Sequence, residues 1–307
     1  MTTEIRRVAE GLRFPEGPVV LADGALVVCE IEAGRLTRIE PDGSTSTLAE
    51  VGGGPNGAAL GPDGALYVVN NGGFVWTDLG GILVPLDLAT GANEPEGFTG
   101  GWVDRVDVAT GEVTRLYDEI DGRPLRSPND IVFDEHGGFW FTDLGKIRTH
   151  DLDRGALYYA RADGSSITQP VHGLLGANGV GLSPDGATLY VAETHTGRLL
   201  AWDVTGPGEV SGTGAPGGGG RCVVATAASF DSLAVEADGR VVVAALTHGI
   251  CVVDPATGEH ELLEMPDPLV TNVCFGGADG LTAYVTMSGA GWLAAMAWPR
   301  PGLVLGG

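Results

Sequence analysis

Short apolar runs follow a two-residue turn at six places along this 307-residue chain. Each run comes directly after an Asp-Gly or His-Gly pair, and the pairs begin at Asp23, Asp63, His136, Asp185, Asp238 and Asp279. A polar residue lies seven positions before each pair, and these residues are Glu16, Asn56, Asn129, Asn178, Asp231 and Asn272. The constant spacing indicates that one structural unit is repeated six times.

Two apolar strands joined by an Asp-Gly turn are typical of a β-hairpin. Further strand-like runs follow each hairpin, such as RLTRIE at 35–40 and RLLAWDV at 198–204. Each unit therefore holds about four antiparallel strands, which predicts an all-β fold, a six-bladed β-propeller forming one domain over residues 1–307. The segment EIRRVAEGL precedes the first unit, and we predict that it supplies the outer strand of the last blade, because closure removes exposed edges.

Two segments interrupt the repeat. The Gly-rich stretch at 206–221 falls inside one unit and is typical of a surface loop rather than a linker. The insertion at 70–101 lies between the second and third strands of its unit, at the end of the blade where the six polar residues are expected. It carries Phe74, Trp76 and Phe98, enough aromatic surface to wall an apolar substrate pocket. A flap that only covers the surface is the alternative.

The six repeated polar residues should form a ring around the propeller axis, because each begins an innermost strand. Two carboxylates and four amides make an oxygen-rich, negative site, which favours a hard cation and above all Ca²⁺. Zn²⁺ prefers His or Cys, and neither occurs at these positions. Mg²⁺, Mn²⁺ and Zn²⁺ are the alternatives to Ca²⁺. Turn formation is the other explanation for the Asn residues, but Glu16 and Asp231 do not fit it.

Two histidines, His195 and His248, lie in loops at the same end of the predicted blades. Each is a candidate to contact the substrate or move a proton near neutral pH, and each is equally explained as a surface residue.

The charge of the chain limits its partners. Lys plus Arg number 17 and Asp plus Glu 40, giving a net charge of −23. Such an acidic protein repels nucleic-acid phosphates and anionic membranes, and no apolar stretch is long enough to span a bilayer. We therefore expect a small-molecule substrate, with neither nucleic acid nor membrane as partner.

The cysteines and the N-terminus both favour a cytoplasmic location. Four cysteines are far apart with no C-x-x-C spacing, which predicts reduced, buried thiols. The segment MTTEIRRVAEGLRF has no apolar region typical of a signal peptide.

The chain resembles the senescence-marker-protein/gluconolactonase/regucalcin family, most of all its bacterial lactonase branch. The resemblance rests on motifs that occur in this order: FPEGPVV, SPNDIVF with GGFWFTD, ANGVGLSPDG and FDSLAVEADG. The resemblance implies a six-bladed propeller with one divalent metal, often Ca²⁺. It further implies that Glu16, Asn178 and Asp231 hold the metal, with Asn129 as a further ligand. Sugar-specific members often carry Arg two residues before this Asn, where the present chain has Ser127.

Metal-assisted lactone hydrolysis agrees with both the ring and the resemblance. Asp231 is the candidate base or nucleophile, Asn129 the catalytic amide, and Asn129, Asn56, Trp76, His195 and His248 the candidate substrate contacts. The aromatic insertion and Ser127 favour an acyl group bulkier or more apolar than that of a simple sugar lactone. The alternatives are a phosphotriesterase of the diisopropyl-fluorophosphatase type and a non-catalytic Ca²⁺- or ligand-binding propeller. A cyclase resembling strictosidine synthase is disfavoured, because those enzymes lack the metal quartet. The substrate, the cellular metal and the oligomeric state stay open.

Overall fold

A hairpin forms at each of the six repeated turns in the computed structural model, which describes residues 4–213 and 216–303. In the first hairpin, the Leu21 N–H donates to the Ala25 carbonyl at 2.8 Å. The Asp23 carboxylate accepts a hydrogen bond of 3.1 Å from the Ala25 N–H. Gly24 has a φ of 84°, a left-handed conformation that glycine adopts without steric cost. The local turn chemistry therefore explains the repeated Asp-Gly pair.

Six antiparallel units, here called blades 1 to 6 in chain order, make up the fold, each with four main strands and blade 4 with a short fifth strand. The inner strands are Pro15–Val20, Pro55–Leu60, Pro128–Phe133, Ala177–Leu182, Leu233–Val235 and Val270–Gly276. The second strands are Leu26–Glu30, Leu66–Asn70, Gly138–Asp143, Thr188–Glu193, Val241–Ala244 and Thr282–Met287. The third strands are Arg35–Ile39, Trp102–Val106, Gly155–Arg161, Arg198–Gly206, Ile250–Val253 and Trp292–Ala297. The outer strands are Thr45–Glu50, Val113–Tyr117, Ile167–Leu174, Arg221–Ala225, His260–Leu263 and Ile5–Glu10.

The inner strands contact one another in a closed circle, from blade 1 through blade 6 and back to blade 1. The N-terminal strand Ile5–Glu10 pairs antiparallel with Trp292–Ala297, the third strand of blade 6. Both the predicted six-bladed β-propeller and the predicted closing strand are confirmed. Closure pairs the edge that blade 6 would otherwise expose.

Hydrophobic side chains form a core between each pair of neighbouring blades. Between blades 2 and 3, the ring of Tyr67 lies 5.0 Å from that of Phe133 and 5.6 Å from that of Phe139, measured between centroids. The second strands Leu26–Glu30 and Gly138–Asp143 are buried along their whole length. Burial on both faces explains why such strands are continuous apolar runs in the sequence.

The two interrupting segments fold differently from each other. The insertion at 70–101 contains the short hairpin Thr77–Asp78 with Leu83–Val84. In the Gly-rich stretch 206–221, Glu209–Val210 pairs with the third strand of blade 4, and Pro216–Gly219 forms a 3-10 turn. Residues 214 and 215 of the predicted surface loop lie outside the described residues. A second small hairpin joins Glu119–Ile120 to Arg123–Pro124.

The cysteines are all free, and two of them, Cys29 and Cys251, are buried as predicted. The prediction of burial is wrong for Cys222, which is exposed because it lies on the outer strand of blade 4, and Cys274 is half-buried.

Over residues 4–213 and 216–303, no helix has the length and apolar character needed to cross a bilayer.

Removing residues 1–10 should destabilise the whole ring, because it leaves Trp292–Ala297 as an unpaired edge. We expect the melting temperature to fall by roughly 5 °C or more, with concentration-dependent association in solution. Differential scanning calorimetry and light scattering measure the two effects. The control is Arg7→Ala, which removes the Arg7 guanidinium from its position 4.6 Å from the Trp292 ring and keeps the backbone pairing. A monomeric deletion variant that melts like the intact protein would contradict closure as the stabilising contact.

Candidate functional site

The repeated polar residues sit where each inner strand departs from regular pairing. A one-residue bulge follows Glu16, because Glu16 pairs with Cys29 whereas Val19 pairs with Val27. Equivalent shifts occur in the inner strands of blades 2, 3, 4 and 6. In blade 5 the Asp231 N–H donates to the Ala244 carbonyl at 2.8 Å, and the Ala244 N–H donates to the Ser232 carbonyl at 2.9 Å. Two successive residues, Asp231 and Ser232, thus pair with the single residue Ala244. Bulges redirect side chains and are common beside active sites.

The ring joins the two ends of the chain through a side-chain contact. Asn272 Nδ2 donates to Glu16 Oε2 at 2.8 Å, although 256 residues separate them. The same Glu16 oxygen accepts a hydrogen bond of 3.0 Å from the Gly17 N–H. Glu16 is only 2% exposed, and Asn272 is also buried. A carboxylate this deep in the structure calls for a compensating positive group.

Asn178 and Asp231 meet at the boundary of blades 4 and 5. The Ser232 hydroxyl lies 3.5 Å from Asn178 Oδ1, while Asn178 Nδ2 donates to Thr194 Oγ1 at 3.1 Å. The Asn178 side chain is buried, whereas Asp231 keeps part of its surface exposed. The structure thus places Asp231, a half-buried residue, beside a buried amide.

Asn129 in blade 3 is buried, and its Oδ1 has no hydrogen-bond partner among the residues that the structure describes. A buried carbonyl oxygen without a partner is uncommon and calls for a ligand, an ion or a water molecule. The neighbouring Asp130 has a different task, since its carboxylate accepts hydrogen bonds from the Ile131 N–H at 2.9 Å and the Val180 N–H at 3.3 Å. Asp130 therefore ties blade 3 to blade 4. Asn56 is buried at the equivalent position of blade 2.

Burial raises the pKa of the acidic groups at the axis, and for two of them a neighbouring carboxylate adds to the shift. Burial raises the pKa of Glu16. Burial and the nearby Glu16 carboxylate together raise the pKa of Asp231 well above its ordinary value, although the Asn178 side chain opposes this. Burial chiefly, and Glu16 in addition, raises the pKa of Asp130 to about 7. Like charges without a counterion shift the pKa in this way, and a cation placed among them would reverse the shift.

A second set of polar residues holds the segments that lead into the ring. Asp143 ends the second strand of blade 3, and its carboxylate accepts hydrogen bonds from the N–H groups of Arg126 at 2.8 Å and Ser127 at 2.7 Å. Glu30, Asn70 and Glu193 end the second strands of blades 1, 2 and 4. Each accepts a hydrogen bond from a backbone N–H two or three residues before the ring residue of its own blade. These residues position the ring backbone. Their signal in the sequence is a polar residue that closes the apolar second strand in blades 1 to 4.

The insertion at 70–101 lies over the ring end of the propeller, where it was predicted to lie. Trp76 packs against Phe14, two residues before Glu16, with ring centroids 5.1 Å apart. Phe74 stands edge-on to Trp76 at 6.1 Å. Leu83 is buried in the same cluster and donates its N–H to the Gly289 carbonyl of blade 6 at 2.9 Å. Phe14 itself has a φ of 58°, a strained conformation of the kind found at functional sites.

Charged residues attach the other end of the insertion to blade 3. Glu94 bridges the guanidinium groups of Arg126 at 2.7 Å and Arg148 at 3.1 Å. Asp153 bridges the same two groups at 2.8 and 2.9 Å, which closes a square of four charges. Arg126, next to the position where sugar-specific relatives are expected to carry an arginine, is thus engaged in holding the insertion.

The chain's only lysine, Lys146, is completely buried beneath the insertion. Its Nζ donates to the Gly73 carbonyl at 2.6 Å and lies 4.0 Å from the centroid of the Phe74 ring. Burial lowers the pKa of Lys146 to about 7, against the opposing attraction of Asp143 and Glu94. Sequence reasoning missed this residue, although a single lysine in an acidic chain was a signal.

The two histidines differ in their surroundings. The His195 ring packs against Gly176, where a Cβ would lie 2.9 Å from the imidazole Cδ2. Desolvation lowers the pKa of His195, opposed by Glu193. His248 is exposed, and its Nδ1 lies 3.2 Å from the hydroxyl of its neighbour Thr247. The contact with Gly176 places His195 beside the inner strand of blade 4, since Gly176 precedes Asn178 by two residues.

Among the described residues, no three His, Cys, Asp or Glu side chains cluster in a way that could hold a metal. The candidate site is of another type, because amide oxygens of Asn129 and Asn178 accompany its carboxylates.

Curated relatives of this chain include two staphylococcal proteins named lactonase drp35. The protein of Staphylococcus haemolyticus is 31% identical over 195 residues, which is 62% of this chain and 50% of the relative. That of Staphylococcus saprophyticus is 45% identical over 76 residues, 25% of this chain and 23% of the relative. The chain thus spans half the length of these relatives or less.

Solved structures with the same fold include a gluconolactonase from Xanthomonas campestris, with a TM-score of 0.74 and 22% identity over 97% of this chain and 90% of that one. The calcium-binding protein regucalcin from Agrobacterium tumefaciens has a TM-score of 0.74 and 19% identity, covering 99% and 98% of the two chains. These identities support the shared fold alone. The model of the SMP-30/Gluconolactonase/LRE-like region matches residues 14–289. The predicted family is therefore confirmed, and this chain belongs to the SMP-30/gluconolactonase/LRE-like family.

Proposed function

We propose that the protein is a hydrolase that opens a lactone ring with one divalent metal ion, for which Ca²⁺ is the favoured species. The observation that carries the proposal is the ring at the axis, where the buried Glu16 contacts the Asn272 amide and Asp231 lies beside the Asn178 amide. The names of the staphylococcal lactonases and of the Xanthomonas gluconolactonase support the same reaction. The calcium-binding regucalcin supports the choice of ion.

The donor set fits a hard cation. Glu16, Asn129, Asn178 and Asp231 would supply two carboxylates and two amide oxygens, a mixture that Ca²⁺ accepts in irregular geometry. The partnerless Asn129 Oδ1 is accounted for if it points to an ion. Burial raises the pKa of both Glu16 and Asp231, and a cation held between them would favour their charged forms. Magnesium, manganese and zinc are the less favoured ions.

When bound, the ion would polarise the lactone carbonyl and stabilise the negative charge that develops on its oxygen. The residues of the chain carry the other tasks. Asp231, the less buried of the two acidic residues, takes a proton from the attacking water, or else attacks the carbonyl carbon itself. On the base route, the water oxygen bonds to the carbonyl carbon, the acyl C–O bond of the ring breaks, and the proton passes from Asp231 to the leaving oxygen, which gives an open hydroxy acid. On the nucleophile route, the same C–O bond breaks as an anhydride forms on Asp231, and a water molecule then hydrolyses that anhydride and supplies the proton of the leaving oxygen. Asn129 holds the substrate in line with Asp231.

The cover over the ring favours a bulky or apolar acyl group. Trp76 and Phe74 present an aromatic wall beside Phe14, and such walls bind apolar groups through buried area. Asn56 and His195 add polar contacts at the edge of this space, with His248 further out. Arg126 is occupied by Glu94 and Asp153, so recognition of many sugar hydroxyls is not favoured.

A substrate panel with and without chelator tests the reaction class. The panel contains a sugar lactone, small and long-chain aliphatic lactones, an aryl ester and a fluorophosphate. We expect fastest turnover on an apolar lactone, loss of activity with EDTA, and recovery on adding Ca²⁺. Faster turnover of the fluorophosphate would favour the phosphotriesterase, and inactivity towards every compound at saturating Ca²⁺ would favour a binding protein.

Neutralising either ring carboxylate should weaken metal binding. Glu16→Gln and Asp231→Asn each remove an anionic ligand, and we expect the Kd for Ca²⁺ to rise at least about tenfold. Isothermal titration calorimetry gives the Kd, and the melting temperature at saturating Ca²⁺ gives an independent measure. The matched control is Glu32→Gln, since Glu32 belongs to the same blade but pairs with Arg13 outside the ring. Wild-type affinity in both ring variants would refute the assigned ligands.

A further inference from the structure

One side chain connects both ends of the insertion to blade 3. Lys146 Nζ donates to the Gly73 carbonyl at 2.6 Å and lies 4.0 Å from the Phe74 ring, near the start of the insertion. It also lies 4.9 Å from the centroid of Phe98, near the end of the insertion. No carboxylate lies within 4.0 Å of Nζ in the part of the chain that the structure describes. A carbonyl and two aromatic faces therefore take the place of an ion pair.

A continuous run of ring contacts leads from this lysine to the candidate metal site. Phe74, which Lys146 touches, stands edge-on to Trp76 at 6.1 Å. Trp76 in turn packs against Phe14 at 5.1 Å, and Phe14 precedes Glu16 by two residues. The position of the aromatic wall over the ring thus depends on where Phe74 is held.

The backbone around Lys146 is itself fixed. The Lys146 N–H donates to Asp153 Oδ2 at 3.2 Å, and its carbonyl accepts a hydrogen bond of 2.9 Å from the Asp153 N–H. Asp153 also belongs to the charge square with Arg126, Glu94 and Arg148. The backbone of Lys146 is therefore held in place by hydrogen bonds. The segment that its side chain contacts contains several glycines and little regular structure.

We propose that Lys146 is a positioning and specificity-determining residue, which clamps the insertion and so sets the place of the Phe74–Trp76 wall against the acyl group of the substrate. The part of this inference that concerns substrates rests on the proposed lactone hydrolysis. The part that concerns the clamp rests on the contacts of Nζ alone. The two parts can therefore be tested separately.

Amine labelling tests the clamp without any substrate, because Lys146 is the only lysine in the chain. An amine-reactive ester is applied to the native protein and to the protein unfolded in urea. Mass spectrometry then measures labelling of the peptide that contains Lys146, separately from the peptide that carries the N-terminal amine. We expect Lys146 to react at least about tenfold more slowly in the native than in the unfolded protein, because its amine can react only when the insertion opens. Equal rates would overturn the clamp.

Hydrogen exchange on Lys146→Met tests what holds the insertion. Methionine keeps much of the side-chain volume and loses the donor, so we expect residues 72–100 to exchange about tenfold faster, with unchanged exchange in the blade strands. Arg105→Met is the matched control, since Arg105 pairs with Asp63 outside the site. If Lys146→Met does not fold, Phe98→Leu removes one aromatic face and is expected to loosen the same residues. Unchanged exchange of the insertion in the folded variant would overturn the proposal.

Kinetics test the specificity. For Lys146→Met we expect the KM of a bulky apolar lactone to rise about tenfold, with a smaller change in kcat, while the KM of a small lactone and the Kd for Ca²⁺ stay constant. Lys146→Arg keeps a hydrogen-bond donor, so we expect its KM for the bulky lactone to lie between those of the wild-type protein and Lys146→Met. Equal changes for both lactones would overturn the specificity role. If the wild-type protein hydrolyses no lactone, the proposed function fails, and labelling and exchange still decide the clamp.

Discussion

Closure of the ring is the constraint on which the other features depend. The first strand of the chain must pair with the last blade, since an open ring would expose an edge and one face of the core. Closure also brings Glu16 to Asn272, a contact of 2.8 Å between residues from opposite ends of the chain. The candidate site is therefore complete only when the whole propeller has formed, and its geometry follows from the packing of all six blades.

The same constraint explains why the axis is polar. Six inner strands converge there, and bulges direct their first polar side chains into a space with few partners. Burying carboxylates costs free energy unless a positive group compensates them. Most of the core consists of well-packed apolar clusters between blades, which offsets such a local cost. The hydrogen bonds from Glu30, Asn70, Asp143 and Glu193 hold the approaches to the inner strands and limit relaxation away from this arrangement.

The insertion is attached by two kinds of interaction. Towards blades 1 and 6 it packs through apolar side chains, Leu83 among them. Towards blade 3 it uses Glu94 in the square of charges and the donor of Lys146. Apolar contact tolerates sliding, whereas a hydrogen bond and paired charges need defined positions. The polar end therefore determines where the aromatic wall stands, and the apolar end covers the ring.

Local sequence patterns encode the blades, because the Asp-Gly turn and the alternation of short apolar runs act over a few residues. It also located the six ring residues and the closing strand, since a repeat places equivalent residues equivalently. The contacts between functional groups depend instead on how distant parts of the chain pack. The pairing of Glu16 with Asn272, the orphaned Asn129 oxygen and the burial of Lys146 under Phe74 and Phe98 join residues from separate blades and loops. No local pattern encodes those distances, because they arise from how the blades and the insertion pack together.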